Sequence, residues 1–338
     1  MAFLISTRSC LSWRASPARL SLVVHPFTDN PAEAISALGE QKLITAIRRW
    51  LDDTSPATPF GIGDDCAVLP ASPRRQLVTV DPVIYGKHFD DSVPPRAVGE
   101  KLLKRNLSDI AAMGGHPRAA VVALALDAKI NTRWLAAFYR GLASASRRYR
   151  VPIVGGDISH QSGGFAATLT LIGEASTDRV LTRQGARNGG WIYVTGTLGG
   201  SLLGHHYTFT PRLDEGRWLA TQSEVRSMMD LSDGIAKDLA ALTPFGSVPA
   251  LEGPAIPVSS AARRLARTSE KTPLHHALTD GEDYELLFTV ASRTDRIAFE
   301  SSWKRKFKTR LSCIGRFART ASSTHIDLKS IHGYEHLR

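Results

Sequence analysis

The sequence predicts an α/β or α+β protein that folds in two lobes. Stretches with apolar residues at helical spacing alternate with short apolar strands along most of the chain, which is the pattern of these fold classes. A glycine-rich passage at 185–190 separates two such series and indicates a boundary near residue 176. The 338 residues, of which 43% are hydrophobic and 22% charged, are enough for two packed domains.

Helices and strands are predicted in alternation before this boundary. Apolar residues at near-helical spacing predict a helix over 32–52 and a second helix over 97–113, which two glycines and a proline end. Thr132 is expected to cap a third helix. Strands are predicted at 76–81, 119–126, 151–154 and 165–175.

The second half of the chain continues the alternation. A strand at 191–195 runs into the turn GTLGGS, whose backbone N–H groups could cradle a phosphate. Helices are predicted at about 212–227, 235–243 and 259–268, and a strand at 284–290. The two domains are therefore expected at 36–175 and 176–338.

Positive charge dominates the chain, and part of it lies near the N-terminus. The net charge is +10, and the first 28 residues contain Arg8, Arg14 and Arg19 but no acid. This segment resembles an Arg- and Ser-rich presequence, but we favour a disordered extension over residues 1–35. A basic run at 304–308 is interpreted as a solvated helix face or turn, because no interleaved aromatic residues or binding module accompany it. No nucleic-acid partner is expected.

Cysteine usage and hydropathy favour a cytoplasmic protein. Cys10, Cys66 and Cys313 are odd in number and far apart, without a CxxC pair. This argues against a disulfide framework or a zinc site and indicates a reducing compartment. Because no run of 18 apolar residues occurs, no membrane-spanning helix is expected.

The stretch GIGDDCAVLP at 61–70 places two aspartates, Asp64 and Asp65, side by side between glycines and an apolar run. Two carboxylates a few ångströms apart repel by about 4 kcal/mol at an effective dielectric constant near 20. Either water screens the pair on an open turn, or a cation holds it. On its own, the stretch favours the solvated turn.

Acidic residues recur at strand ends and beside glycines elsewhere in the chain. Taken singly, each has a structural explanation; Asp109 could pair with Arg105 one helical turn earlier, and Asp233 could cap the helix at Ile235. Taken together, converging carboxylates need neutralisation, which Mg²⁺ bound with substrate phosphates supplies. The pattern favours a magnesium–phosphate site, with the separate explanations still open, at these residues: Asp64, Asp65, Asp81, Asp109, Asp157, Asp230, Asp233, Glu282 and Asp283.

Nine sequence blocks follow one another from about residue 40 to the C-terminus: GIGDDCAVL, TVDPVIYGKHF, NLSDIAAMGGHPRAA, VGGD, LTRQGAR, IYVTGTLG, MMDLSDG, DGEDYELLF and GYEH. This series resembles the thiamine-monophosphate kinases, which share the aminoimidazole-ribonucleotide-synthetase fold. NLSDIAAMGG and GEDYELLF are the most specific blocks. The resemblance implies a two-lobed α/β (α+β) fold, with a mixed-sheet N-terminal lobe and an α/β C-terminal lobe.

The resemblance also implies an activity, its ligands and an assembly. The implied reaction is ATP-dependent phosphorylation of thiamine monophosphate to the diphosphate, by direct in-line transfer with several Mg²⁺ ions. The implied metal ligands are Asp64, Thr79, Asp81, Asp109, Asp157, Asp230 and Asp233, among which Asp109 and Asp230 are the catalytic candidates. Implied ATP contacts are Tyr139, Gly156, Arg183 and Ser232, and implied substrate contacts are His88, Glu282 and Tyr334. A homodimer that pairs its N-terminal, ATP- and Mg²⁺-binding lobes is implied as well.

Several positions depart from the family pattern and leave two alternatives open. The departures are Val80, Lys87, Ile158, His160 and Asp280, together with a shortened segment at 202–227. One alternative is a small-molecule kinase or ATP-dependent synthetase of the same fold with another acceptor. The other is a nucleotide-binding protein without catalysis.

Overall fold

Two β-sheets, one in each half of the chain, form the framework on which the helices pack. The structure is a computed structural model that describes residues 24–63, 66–320, 322, 325–328 and 331. The first half contains these elements in chain order: α1 Glu40–Leu51, β1 Gln76–Ile84, α2 Pro95–Ala112, β2 Gly115–Leu126, α3 Thr132–Tyr149, β3 Ile153–His160 and β4 Phe165–Ala175. The second half contains β5 Trp191–Thr195, α4 His205–Thr208, α5 Leu213–Thr221, β6 Val225–Asp230, α6 Ile235–Asp238, β7 Val248–Leu251, α7 Ser260–Leu265, α8 Pro273–Thr279, β8 Leu286–Val290, α9 Arg296–Lys306 and β9 Leu311–Ala318.

The first sheet is mixed, as the family resemblance implied. Its strand order is β1-β4-β2-β3, in which β2 and β3 are parallel and the other neighbours are antiparallel. The second sheet has the order β6-β8-β5-β9-β7 and is antiparallel throughout. None of the helices in the described part of the chain is long and apolar enough to span a bilayer.

Strand β1 separates its side chains cleanly between two faces. Thr79 and Asp81 pair with the buried Leu171 and Leu169 of β4, so they point towards the helices. The residues between them point the other way, and Val78 and Val80 are 69% and 59% exposed. We call these the inner face and the outer face of the first sheet.

Helix α2 is buried on nearly all sides, including its polar residues. It approaches α3 closely because both helices have glycine at the contact. A Cβ at Gly99 would lie 2.0 Å from the carbonyl oxygen of Phe138, and one at Gly141 would lie 1.9 Å from that of Arg96. This close packing fixes the helix that carries the central polar residues of the cavity described below.

The structure corrects several predicted boundaries. Residues 24–35 were assigned to the disordered extension, but the Thr28 N–H donates to the Lys129 carbonyl at 2.9 Å and Ile35 is buried. The packed chain therefore begins by residue 24, and residues 1–23 lie outside the described residues. The helix predicted over 32–52 begins only at Glu40, after Gly39, whose φ of 70° interrupts helical backbone.

Two further segments differ from the predicted secondary structure. The predicted helix over 212–227 ends at Thr221, and its last residues already belong to strand β6. The glycine pair and Asp157, expected as a turn after a strand at 151–154, lie inside β3. Helices α8 and α9 and strands β7 and β9 were not predicted.

Candidate active site

A cavity of about 480 Å³ lies between the two halves of the chain. Most of the implied site residues that are described line it, from β1 and the turn after it, α2, the segment between β4 and β5, the end of β6 with its following loop, and the turn before β8. These are Asp81, His88, Asp109, Arg183, Asp230, Ser232, Asp233 and Glu282. Residues that are far apart in the sequence therefore meet in one place, as the magnesium–phosphate hypothesis required.

The acidic side of the cavity is built by three elements. The inner face of β1 supplies Thr79, whose hydroxyl donates to a carboxylate oxygen of Asp109 on α2. Next to Asp109, Ser108 donates from its Oγ to Oδ2 of Asp230 at 2.6 Å. Asp230 is the last residue of β6 and is 5% exposed. Helix α2 thus connects the carboxylates of both halves.

These carboxylates repel one another in a partly dry environment. Burial, together with the charges of Asp230 and Asp81, raises the pKa of Asp109 to about 8. Burial likewise raises the pKa of Asp230. The opposing effects of Arg105 on Asp109 and of Arg183 on Asp230 are too small to cancel these shifts, and perturbed carboxylates in a cavity are typical of functional sites.

The cavity suits a hard cation only in combination with other oxygen ligands. The cavity is lined by Asp carboxylates, which are ligands that Mg²⁺ takes, and the Thr79 hydroxyl lies beside one of them, Asp109. Among the described residues, no three His, Cys, Asp or Glu side chains are grouped closely enough to hold a metal by themselves. This arrangement fits Mg²⁺ bound through one or two carboxylates, with phosphate and water oxygens completing the octahedron.

The loop DLSDG after β6 is held by an acid that the sequence analysis missed. Oδ2 of Asp238 accepts the backbone N–H groups of Ser232 and Asp233 at 3.1 and 2.9 Å. Asp233 itself pairs with Lys237 at 2.8 Å. The alternative that Asp233 caps the next helix is wrong, because Gly234 is the N-cap residue of α6.

A buried lysine holds the opposite wall of the cavity. Nζ of Lys101, which is 0% exposed, lies 2.8 Å from the Glu282 carboxylate, from the His88 carbonyl and from Nδ1 of His206. Burial lowers the pKa of Lys101 to about 8 and that of His206 to about 4. His206 is therefore neutral near pH 7, and its Nδ1 accepts a hydrogen bond from the Lys101 ammonium. Glu282 also has a φ of 51°, a strained conformation that this contact holds in place.

A second cavity, of about 550 Å³, contains the other described ATP candidates, Tyr139 and Gly156. Tyr139 is 3% exposed, and its ring lies 6.1 Å from that of Trp50, so it is also a core residue. Burial raises the pKa of its phenol. Gly156 has a packing role as well, because a Cβ there would lie 2.1 Å from the Val122 carbonyl oxygen.

The structure does not bring Asp157 to the interlobe cavity. Asp157 is exposed and pairs in register with Ala123 of β2, on the outer face of the sheet. Three strand spacings separate β3 from β1, or about 14 Å. Within one chain, Asp157 and Asp81 therefore lie too far apart to share an ion.

Some sequence hypotheses are corrected or fall outside the described residues. The N–H groups of Gly199 and Gly200 donate to Asp283 and Asp280 at 2.8 and 2.7 Å, so the GTLGGS turn does not offer them to a phosphate. The ion pair suggested for Asp109 is also wrong, because the ion-pair partner of Arg105 is Asp81, at 3.4 Å. Asp64, Asp65 and Tyr334 lie outside the described residues.

The chain was compared with known families, proteins and structures. The family described as AIR synthase related protein, N-terminal domain, matches residues 63–175. The thiamine-monophosphate kinase of Rhodopirellula baltica is 38% identical over 258 residues, which cover 73% of this chain and 81% of that protein.

Solved structures agree with this relationship. The crystal structure of thiamine-monophosphate kinase from Stenotrophomonas maltophilia superimposes with a TM-score of 0.68 at 30% identity, covering 83% of this chain and 94% of that one. The structure of AaThiL complexed with AMPPCP and TMP superimposes with a TM-score of 0.65 at 29% identity, covering 85% and 93%.

Proposed function

Because this chain belongs to the thiamine-monophosphate kinase family, we propose that it transfers the terminal phosphoryl group of ATP directly to the phosphate of thiamine monophosphate. The observation that carries the proposal is the interlobe cavity, in which Asp81, Asp109 and Asp230 meet. The structural relative AaThiL binds AMPPCP and TMP, a triphosphate analogue and a monophosphate, which are ligands of the kind this reaction requires.

The side chains of the cavity have the charges that such a transfer needs. Phosphoryl transfer depends on positioning and on charge neutralisation rather than on covalent help from the protein. Here two anions must approach each other, and the cavity presents Lys87, Arg105 and Arg183 besides its carboxylates. An arginine fork suits a phosphate because it can donate two parallel hydrogen bonds.

Magnesium would be held by the carboxylates of the cavity. We assign Asp81, Asp109, Asp230 and Asp233 to this role, with the Thr79 hydroxyl beside Asp109. When bound, Mg²⁺ supplies charge neutralisation at the transferring phosphoryl group. The protein residues fix the position of the carboxylates through Ser108 and Asp238, so that they do not rearrange during the reaction.

The substrate contacts are assigned to the wall that Lys101 holds. His88 and Glu282 line the cavity there, and both are linked to the lysine ammonium. Glu282 keeps its charge despite burial, because Lys101 lowers its pKa against the opposing effect of desolvation. A carboxylate at this place suits the cationic thiazolium ring of thiamine monophosphate.

We also propose that two copies of the chain pair through the outer face of the first sheet. Val78 and Val80 are large apolar residues left exposed there, and apolar surface of this kind is typical of interfaces. Asp157 lies on the same face. Pairing would place Asp157 at the interface, where it would take part in a nucleotide site shared with the second cavity, at Tyr139 and Gly156.

An ADP-release assay with Mg²⁺ and ATP tests the proposed reaction. We expect turnover that depends on thiamine monophosphate and yields the diphosphate. Turnover with another phosphorylated acceptor alone would instead support a different kinase or synthetase of this fold. Nucleotide binding without turnover on any phosphorylated acceptor would support a non-catalytic binding protein.

A further inference from the structure

The interlobe cavity contains a buried cation whose hydrogen-bonding capacity is mostly unused. Arg105 on α2 lines the cavity and is 8% exposed. Its Nη1 donates to the Pro82 carbonyl at 2.5 Å, and its Nη2 lies 3.4 Å from Oδ1 of Asp81. Its Nε is buried and has no partner among the described residues. A guanidinium has five N–H donors, and three of those of Arg105 have no acceptor among the described residues.

This arrangement is costly unless a ligand completes it. A buried ion without full pairing loses its hydration, and a buried N–H without an acceptor loses the hydrogen bond that it would make to water. Burial opposes the charge of Arg105, but the neighbouring Tyr284 and Asp81 raise its pKa. The charge is therefore kept, while the 3.4 Å contact with Asp81 is long for a charge-assisted hydrogen bond.

Another buried cation of the same helix, Lys104, shows the contrast. Lys104 is 4% exposed, but its ammonium donates to the Tyr207 carbonyl and lies 4.9 Å from the centre of the Phe209 ring. Neither of these two partner residues lines the cavity, and Lys104 does not line it either. Packing contacts thus surround Lys104, whereas open space with acidic and polar walls adjoins Arg105.

The position of Arg105 indicates which ligand it would meet. One helical turn before it, Lys101 contacts the two substrate candidates, His88 and Glu282. The other cations of the cavity, Lys87 and Arg183, are exposed. Among the cations that line the cavity, Arg105 is thus the buried one, and it lies near the proposed substrate contacts. Its N–H groups without acceptors match the oxygens of a phosphate.

We propose that Arg105 binds the phosphate group of the acceptor substrate through the N–H groups that have no acceptor among the described residues. The inference rests on the proposed function and adds to it a residue that the family motifs did not point to. Arg105 neutralises the acceptor phosphate as it approaches ATP, and its contact with Asp81 keeps the guanidinium oriented when the acceptor is absent.

Binding of ligands with and without a phosphate tests this inference. Calorimetric titrations without ATP or Mg²⁺ compare thiamine monophosphate with thiamine, for the unmodified chain and for Arg105→Met, Arg105→Lys and the control Lys104→Met. We expect Arg105→Met to lower the affinity for thiamine monophosphate at least about 10-fold and to leave the affinity for thiamine unchanged. Arg105→Lys should recover part of the loss, and Lys104→Met should leave the ratio of the two affinities unchanged.

Kinetics and a second probe make the result decisive. In the ADP-release assay, Arg105→Met should raise KM for the acceptor and leave KM for ATP unchanged. If Arg105→Met lowered the affinities for thiamine and thiamine monophosphate equally, or raised KM for ATP alone, the inference would be overturned. If the unmodified chain does not bind thiamine monophosphate, the proposed acceptor is wrong. Titration with inorganic pyrophosphate then decides, because equal affinity of the unmodified chain and Arg105→Met would overturn phosphate binding by Arg105.

Discussion

The two faces of strand β1 differ in chemistry, although the residues of both faces alternate within the same nine-residue strand. On the inner face, Thr79 and Asp81 adjoin the buried helix α2 and its Asp109. On the outer face, Val78 and Val80 are apolar and exposed. One strand therefore serves a polar cavity and an apolar surface at the same time, since successive side chains point to opposite sides.

The difference explains why one departure from the family pattern leaves the cavity intact. Val80, one of these departures, directly precedes Asp81 in β1. In the structure its side chain lies on the outer face. The change therefore alters the apolar surface and not the carboxylate group of the cavity.

The largest effect should come from the inner side of this comparison. Asp109→Asn and Asp230→Asn each remove one of the repelling carboxylates, and we expect a loss of at least about 100-fold in kcat, or about 3 kcal/mol. The fold should remain intact. The control Asp214→Asn, on the exposed side of α5 beside Arg217, should retain normal rates. Near-normal rates for both cavity variants would contradict the assigned site.

A change on the outer face should affect assembly instead. Val80→Asp places a charge on the exposed apolar surface, and we expect at least about a 10-fold increase in the dimer dissociation constant, measured by sedimentation velocity. The free energy of unfolding of the monomer should hardly change, because the side chain is 59% exposed. Phe245→Asp, at an exposed residue elsewhere in the chain, should leave the dimer unaffected. A dimer unchanged by Val80→Asp would show that this face is not the interface.

Sequence patterns predicted the parts of the fold where local signals and packing agree. Helix α3 has an amphipathic pattern and was predicted with Thr132 as its cap. The cap lies one residue earlier, where the Asn131 side chain accepts the N–H groups of Arg133 and Trp134. The first three residues of strand β6 were assigned to the end of a helix, because the short run VRSMMD has no periodicity that separates a buried strand from a helix. That this segment forms a strand depends on its pairing with β8, a long-range contact that the local sequence does not show.

The carboxylates of the cavity were predictable, but the buried cations were not. Asp81, Asp109 and Asp230 stand at strand ends or in a family block, and these signals led to them. Lys101 and Arg105 lie on a helix that was predicted from its apolar residues, and no pattern in the single sequence marks their charged side chains as buried. Only the packing of α2 against α3, α5 and strands of both sheets shows that both are buried.

The smallest effect concerns the pH dependence of stability without ligands, and it again separates the two faces. The pKa of Asp109 is about 8 in the folded chain, against about 3.9 for an unperturbed aspartate. Between these values the folded state binds a proton that the unfolded state releases, so the free energy of unfolding falls as the pH rises from about 4 to about 8. Asp238, with a pKa of about 7, contributes in the same direction.

Asp109→Asn should remove its share of this dependence. Its Tm should exceed that of the unmodified chain by a few degrees at pH 8 without Mg²⁺, and the difference should shrink towards pH 5, where Asp109 is protonated. Val80→Asp serves as the matched control, because an exposed carboxylate ionises near its ordinary pKa and leaves the slope between pH 5 and pH 8 unchanged. A difference that stays constant with pH would mean that the carboxylate of Asp109 is already neutralised within the protein, and that the inner face is less strained by charge than its geometry indicates.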